Sequence, residues 1–209
     1  MTRITFPLLT LSLIACGPPP VEAPKEIGEL GAFLFKNFEN EDPTEMAAGL
    51  IELRAFLQSQ DVTAEDPFAR ALSMPVLQGE DLGSLSIPDG ADAEKQVNVA
   101  LPGLSRHTPE GSKVLHVEPN QVCIESDTTL YASREVLSGG DCWVDGGCDS
   151  LQTKTAVYKR NFLAEVWYDQ FKDYRVYTLT EEDESTTEVV VGRAWIDQVF
   201  PAVGGGGNS

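Results

Sequence analysis

The chain has 209 residues, 33 acidic against 15 basic, and a formal net charge of −18 at pH 7. That balance excludes nucleic acid, whose phosphate backbone needs a basic patch, and it excludes lying flat on an anionic lipid surface. The length is that of one domain able to bury a real core, and the charge reads as solubility, with no specific cationic partner indicated.

Met1-Thr2-Arg3 supplies one positive charge ahead of an apolar run, Ile4 to Ile14, broken only by Thr5, Pro7, Thr10 and Ser12. Such a run suits the h-region of a signal peptide and is too short to span a bilayer, which takes about 20 apolar residues. It ends in Leu13-Ile14-Ala15-Cys16. These four positions resemble the lipobox of bacterial lipoproteins: an aliphatic residue, a small or aliphatic one, a small one, then cysteine. The resemblance implies that Cys16 is lipidated and becomes the mature N-terminus once residues 1–15 are removed. Gly17 stands where an Asp would imply retention at the inner membrane, so the resemblance implies an outer-membrane anchor. Acyl chains contribute about 0.8 kcal/mol per buried CH₂, and two or more hold a protein stably.

Gly17-Pro18-Pro19-Pro20 and the residues to Pro24 cannot form a helix or a central strand, because Pro fixes φ and removes a donor. Residues 16–25 are expected to form an extended, semi-rigid tether. A single domain over residues 26–203 follows. Ile27, Leu30, Leu34 and Phe38 predict a helix over Lys25–Phe38, with Gly28 and Gly31 allowing another element to come close. Asp42-Pro43-Thr44-Glu45 is a helix start with Asp42 as N-cap and Pro43 at the first helical position. The stripe Met46, Leu50, Leu53, Leu57 carries that helix to Gln58. The two helices are expected to form a hairpin, and their stripe is core. A short third helix is expected from Pro67 to Ser73, ended by Met74-Pro75. Residues 76–95 read as a long connection with a helical turn near Asp81 to Leu85.

From Gln96 the pattern turns to strands: Val97 to Leu101, Val114 to Val117, Gln121 to Ile124 and Thr128 to Tyr131. Gly139-Gly140 and Gly146-Gly147 bracket a loop. Phe162 to Tyr168, Tyr174 to Leu179 and Val189 to Ile196 predict a three-strand antiparallel meander, with Gln170–Asp173 and Glu181–Thr187 as connections. Thr155 to Phe171 also fits a helix. Residues 204–209 form a Gly-rich flexible tail, or a turn before a further element. The fold class expected is α+β: a helical hairpin and a short third helix, then an antiparallel sheet.

The sequence holds no G-x-S-x-G, H-E-x-x-H, P-loop or dinucleotide fingerprint. Gly103-Leu104-Ser105-Arg106 begins like a nucleophile elbow but lacks its second Gly. His116 and Glu118 share one strand face and, with His107, form a weak metal candidate against the plainer expectation of surface histidines. Asp141, Asp145 and Asp149 offer oxygens for Ca²⁺ in a Gly-rich loop, though not at EF-hand spacing. Glu181-Glu182-Asp183-Glu184 reads as a solvated hairpin tip. No cofactor is expected.

Besides Cys16 the chain carries Cys123, Cys142 and Cys148. Export places them where disulfides persist, and the odd count leaves one thiol over. The Asp145-Gly146-Gly147 turn favours Cys142–Cys148, with Cys123 buried between Val122 and Ile124. A long-range bridge from Cys123 to either loop cysteine is the rival. The segments Asn120-Gln121-Val122-Cys123-Ile124-Glu125 and Phe171-Lys172-Asp173-Tyr174 resemble an uncharacterised family of bacterial lipoproteins of similar size, which implies the class and no activity. The expectation is a non-enzymatic envelope lipoprotein, membrane-bound through its N-terminal lipid, that binds or scaffolds an envelope protein. The alternative is a periplasmic carrier of a small apolar ligand between sheet and helices. A hydrolase or metal enzyme ranks third.

Overall fold

The computed structural model describes residues 21–60, 71–77, 79–82, 85, 99–100, 102, 113, 117, 129–160, 165–180 and 184–196. Helix α1 (Ile27–Asn37) starts at Glu26, whose carboxylate accepts from the Glu29 N–H at 2.9 Å. Glu29 in the first turn and Lys36 in the last complement the helix dipole. Helix α2 (Thr44–Ser59) begins one residue later than expected. Pro43 is the N-cap and makes no side-chain capping bond. Asp42 reaches over it instead, accepting from the Thr44 N–H at 2.9 Å and the Thr44 hydroxyl at 2.5 Å. Those bonds hold the Asp42 carboxyl below its ordinary pKa. Its contribution is therefore present above the unfolded carboxylate pKa and is lost as pH falls through the lowered one.

The expected stripe is buried at Met46, Leu50 and Leu57, while Ile51 is 44% exposed. The helices approach where side chains are missing. A Cβ on Gly49 would lie 2.6 Å from a Leu34 methyl. On the other flank of α1 a two-residue ladder joins β1 (Leu72–Ser73) to β2 (Val99–Ala100), antiparallel. A Cβ on Gly28 would meet the Ser73 carbonyl oxygen at 2.4 Å, and one on Gly31 would meet Ala100 Cβ at 2.9 Å. Gly28 and Gly31 thus admit a close neighbour, as their sequence context suggested.

Strands β3 (Thr129–Ser138), β4 (Ser150–Arg160), β5 (Glu165–Thr180) and β6 (Thr186–Ile196) form an antiparallel sheet in that order. A short helix, α3 (Gly140–Val144), connects β3 to β4. Alternate residues face the helical hairpin. There Tyr177 and Leu179 of β5 join Phe38, Met46 and Leu50 in one core cluster, with Val189 and Val191 of β6 beside them. On the opposite face Leu151, Thr153, Thr155 and Val157 of β4 are buried.

The fold is α+β as expected, with helical hairpin, short third helix and C-terminal meander, and particular segments differ. The described third helix is α3, inside the loop bracketed by glycines. Of the helix expected over Pro67–Ser73, Leu72-Ser73 is a strand, because Met74 precedes a proline, which disfavours helical backbone, and β2 supplies partners. Residues 61–70 lie outside the described ones. The helical turn near Asp81 is a 3-10 turn at Gly79–Asp81, two residues early. Gln170–Asp173 is no connection: it is the middle of a 16-residue strand. The helical alternative for Thr155–Phe171 is overturned, since the described residues there pair as β4 and β5. Of the strand expected from Val114 to Val117, the described residue Val117 is helical, as is Lys113 before it, so the strand reading is overturned there: four residues of apolar alternation are too few to tell strand from helix. Gln121 to Ile124 falls outside the described residues.

The close approach at Gly28 generates a test. Gly28→Ala forces the first turn of α1 off the Ser73 carbonyl and is expected to destabilise by about 1–3 kcal/mol, despite alanine's higher helix propensity. Denaturant unfolding of the two proteins checks the sign.

Candidate functional site

Helix α1 ends against the sheet, and its last carbonyls need donors. Strands β5 and β6 supply them. Arg175 Nη1 and the Tyr177 hydroxyl both donate to the Phe38 carbonyl, at 2.9 and 3.0 Å. Arg193 Nη1 donates to the Phe35 carbonyl at 3.5 Å. Cationic donors at a helix C-terminus also suit its dipole.

Arg193 is the centre of the cluster. Its side chain is only 5% exposed and is paired with Asp173 at 2.9 Å and with Glu39. The other Asp173 oxygen accepts from Gln152 Nε2 at 2.8 Å. The guanidinium also lies over the Phe38 ring at 4.7 Å, with Phe35 and Trp195 at 5.4 and 5.6 Å. Loop, helix end and three strands therefore converge on one charge.

Beside this cluster opens a cleft of about 160 Å³, lined by Phe38, Glu39, Gln152, Asp173, Arg175 and the hydroxyl-bearing Ser138 and Ser150 among others. It admits a few heavy atoms, less than the volume of a drug-sized ligand site. Its carboxylates and guanidinium make it polar, and the hydrogen bonds of Asp173, Gln152 and Arg175 join strand to strand or sheet to helix. The geometry is that of a clamp with a small open side.

The second organised feature is the α3 loop. Gly139 takes φ 85° at its start, where a Cβ would strike the Ser150 carbonyl oxygen at 2.4 Å. Gly146 takes φ 73°, and the Gly147 and Cys148 N–H groups return to the Cys142 carbonyl at 2.7 and 3.2 Å. The disulfide Cys142–Cys148 closes this loop with Cα atoms 5.4 Å apart, within the range a bridge requires. Trp143 inside the loop is fully buried, its ring 6.3 Å from that of Tyr174 and 5.5 Å from the Lys113 ammonium.

The residues singled out from sequence fare unevenly. Cys142 and Cys148 are joined as expected. Asp141, Asp145 and Asp149 are all exposed on this loop, and among the described residues no group of three His, Cys, Asp or Glu is placed to hold a metal ion. Cys16, His107, His116, Glu118 and Cys123 lie outside the described residues. No described helix is long and apolar enough to cross a membrane. Arg193 and Asp173 were missed. A lone cation inside Val189-Val190-Val191-Gly192-Arg193-Ala194-Trp195-Ile196 had to find a partner, and that was the available signal. No protein family, curated protein or solved structure matches the chain.

Two outcomes follow from this geometry. Arg193→Met keeps bulk but leaves Asp173 facing the seam without its cation, and is expected to cost about 3 kcal/mol in denaturant unfolding. Removing the bridge by Cys142→Ser with Cys148→Ser should cost less than about 3 kcal/mol, since the ring is short. Its main readout is local: altered Trp143 fluorescence under conditions where the far-ultraviolet signal of the sheet is kept.

Proposed function

We propose that the chain is a lipid-anchored, extracytoplasmic lipoprotein, held at the outer membrane through Cys16, whose folded domain binds or scaffolds another component of the cell envelope and catalyses no reaction. The observation that carries this is Leu13-Ile14-Ala15-Cys16 at the end of an apolar run, with the Pro-rich segment after it. The Cys142–Cys148 bridge is consistent with an oxidising compartment. The polar cluster around Arg193 fastens the helical hairpin to the sheet, a structural role within the domain. An apolar carrier would need a lined cavity of a few hundred Å³ between helices and sheet. Among the described residues, Phe38, Met46, Leu50, Tyr177 and Leu179 pack against one another in that space.

Metabolic labelling with a fatty acid tests the anchor. The native protein should incorporate label, and Cys16→Ser should incorporate none and accumulate as an unprocessed or soluble form; label on Cys16→Ser would refute lipidation at this residue. Cross-linking in intact envelopes should then yield a discrete adduct of the anchored protein.

A further inference from the structure

The two edges of the four-stranded sheet are built differently. Strand β3 pairs with β4 through two register shifts, between Tyr131 and Ser133 and between Val136 and Ser138. Such bulges blunt an edge against further pairing. Strand β6 keeps an unbroken register with β5 from Thr186 to Ile196. Its sequence, Thr186-Thr187-Glu188-Val189-Val190-Val191-Gly192-Arg193-Ala194-Trp195-Ile196, holds no proline and no lysine. Its one cation, Arg193, is turned into the seam and paired. Among the described residues β6 pairs with β5 alone, and Thr186, Thr187, Glu188, Gly192, Ala194 and Ile196 are exposed. Of the devices that blunt a sheet edge, β3 carries bulges, whereas β6 has no bulge, no proline and no lysine along its described length.

We propose that the β6 edge is a docking site for an extended, basic segment of a partner protein, which adds as a further strand with a Lys or Arg opposite Glu188. Backbone pairing of this kind supplies affinity, and alternate side chains supply selection. Charge decides the occupant. The chain carries a net −18, and the strand is entered past Glu181-Glu182-Asp183-Glu184. Glu184 and Glu188 are both exposed where β6 begins. A basic strand is drawn to this end, whereas a second copy of the chain brings the same net charge and is repelled. Beyond Glu188 the same face of β6 presents Val190, Gly192, Ala194 and Ile196, so the partner strand is basic at one end and apolar along the rest. The inference rests on the partner-binding reading above and adds its surface and the chemistry of its partner.

Hydrogen–deuterium exchange on the full chain tests it, with a synthetic valine-rich strand peptide bearing lysines at one end as probe and its counterpart with glutamates in their place as control. The lysine peptide should slow exchange in residues 186–196 and leave β3 unchanged. Added salt should weaken it. Glu188→Lys should lower its affinity about twofold to fivefold, the size of one cross-strand pair, and raise that of the glutamate peptide. Absence of protection in β6, equal binding of the two peptides, or protection of β6 by self-association of the chain alone would each overturn the proposal. None of these results bears on lipid labelling or on envelope cross-linking, so failure of the edge and failure of the anchored-binding reading are told apart.

Discussion

Arg193 brings a full charge into the seam between helices and sheet, and the arrangement of this domain follows from how that charge is accommodated. Removing a guanidinium from water is costly, and the pairing recovers that cost only when geometry satisfies its donors. Here Asp173 and Glu39 take the ionic bonds, Phe35 supplies a carbonyl, and aromatic faces cover the plane. Each partner comes from a different stretch of chain. The cluster therefore specifies more than it stabilises: it fixes where the end of α1 meets β5 and β6. An apolar residue at 193 would fill the same volume without that instruction.

Periodicity made the helical hairpin legible. Met46, Leu50, Leu53 and Leu57 can face one way only on a helix, and Asp42-Pro43 marks the start whichever of the two is the formal cap. The Cys142–Cys148 bridge was legible for a similar reason, since short spacing and Asp145-Gly146-Gly147 leave the chain little choice. The long middle strand was not. Gln170, Lys172 and Asp173 look like a polar connection because their partners, Thr155 for Gln170, Thr153 for Lys172, and Gln152 and Arg193 for Asp173, lie on other strands. A sequence shows polarity and hides the long-range partner that makes it tolerable. The helix expected at Leu72-Ser73 failed in the same way, through a ladder to Val99-Ala100 far along the chain.

The functional reading divides along the same line. The proposed anchor rests on a local motif, Leu13-Ile14-Ala15-Cys16, that stands in consecutive letters. Recognition of a partner depends on which backbone is left unpaired, and that appears only once the strands are ordered. The contrast between β3, with its two irregularities, and β6, with none, has no counterpart in composition. Both segments are β-rich, and only their pairing tells them apart.

The glycine contacts of α1 have a consequence for orientation. Gly28 and Gly31 press on the β1–β2 ladder, and Gly49 of α2 presses on Leu34. Turning α1 by one residue, about 100°, would swing side chains into these contacts. The helix is therefore keyed like a shaft in a slot, free neither to roll nor to drift outward. Residues 21–26 lead directly into it, so the direction in which the chain leaves the domain is set by the same key. Under the anchoring proposed for Cys16, that lock would choose which side of the domain is turned toward the membrane and which is presented away from it.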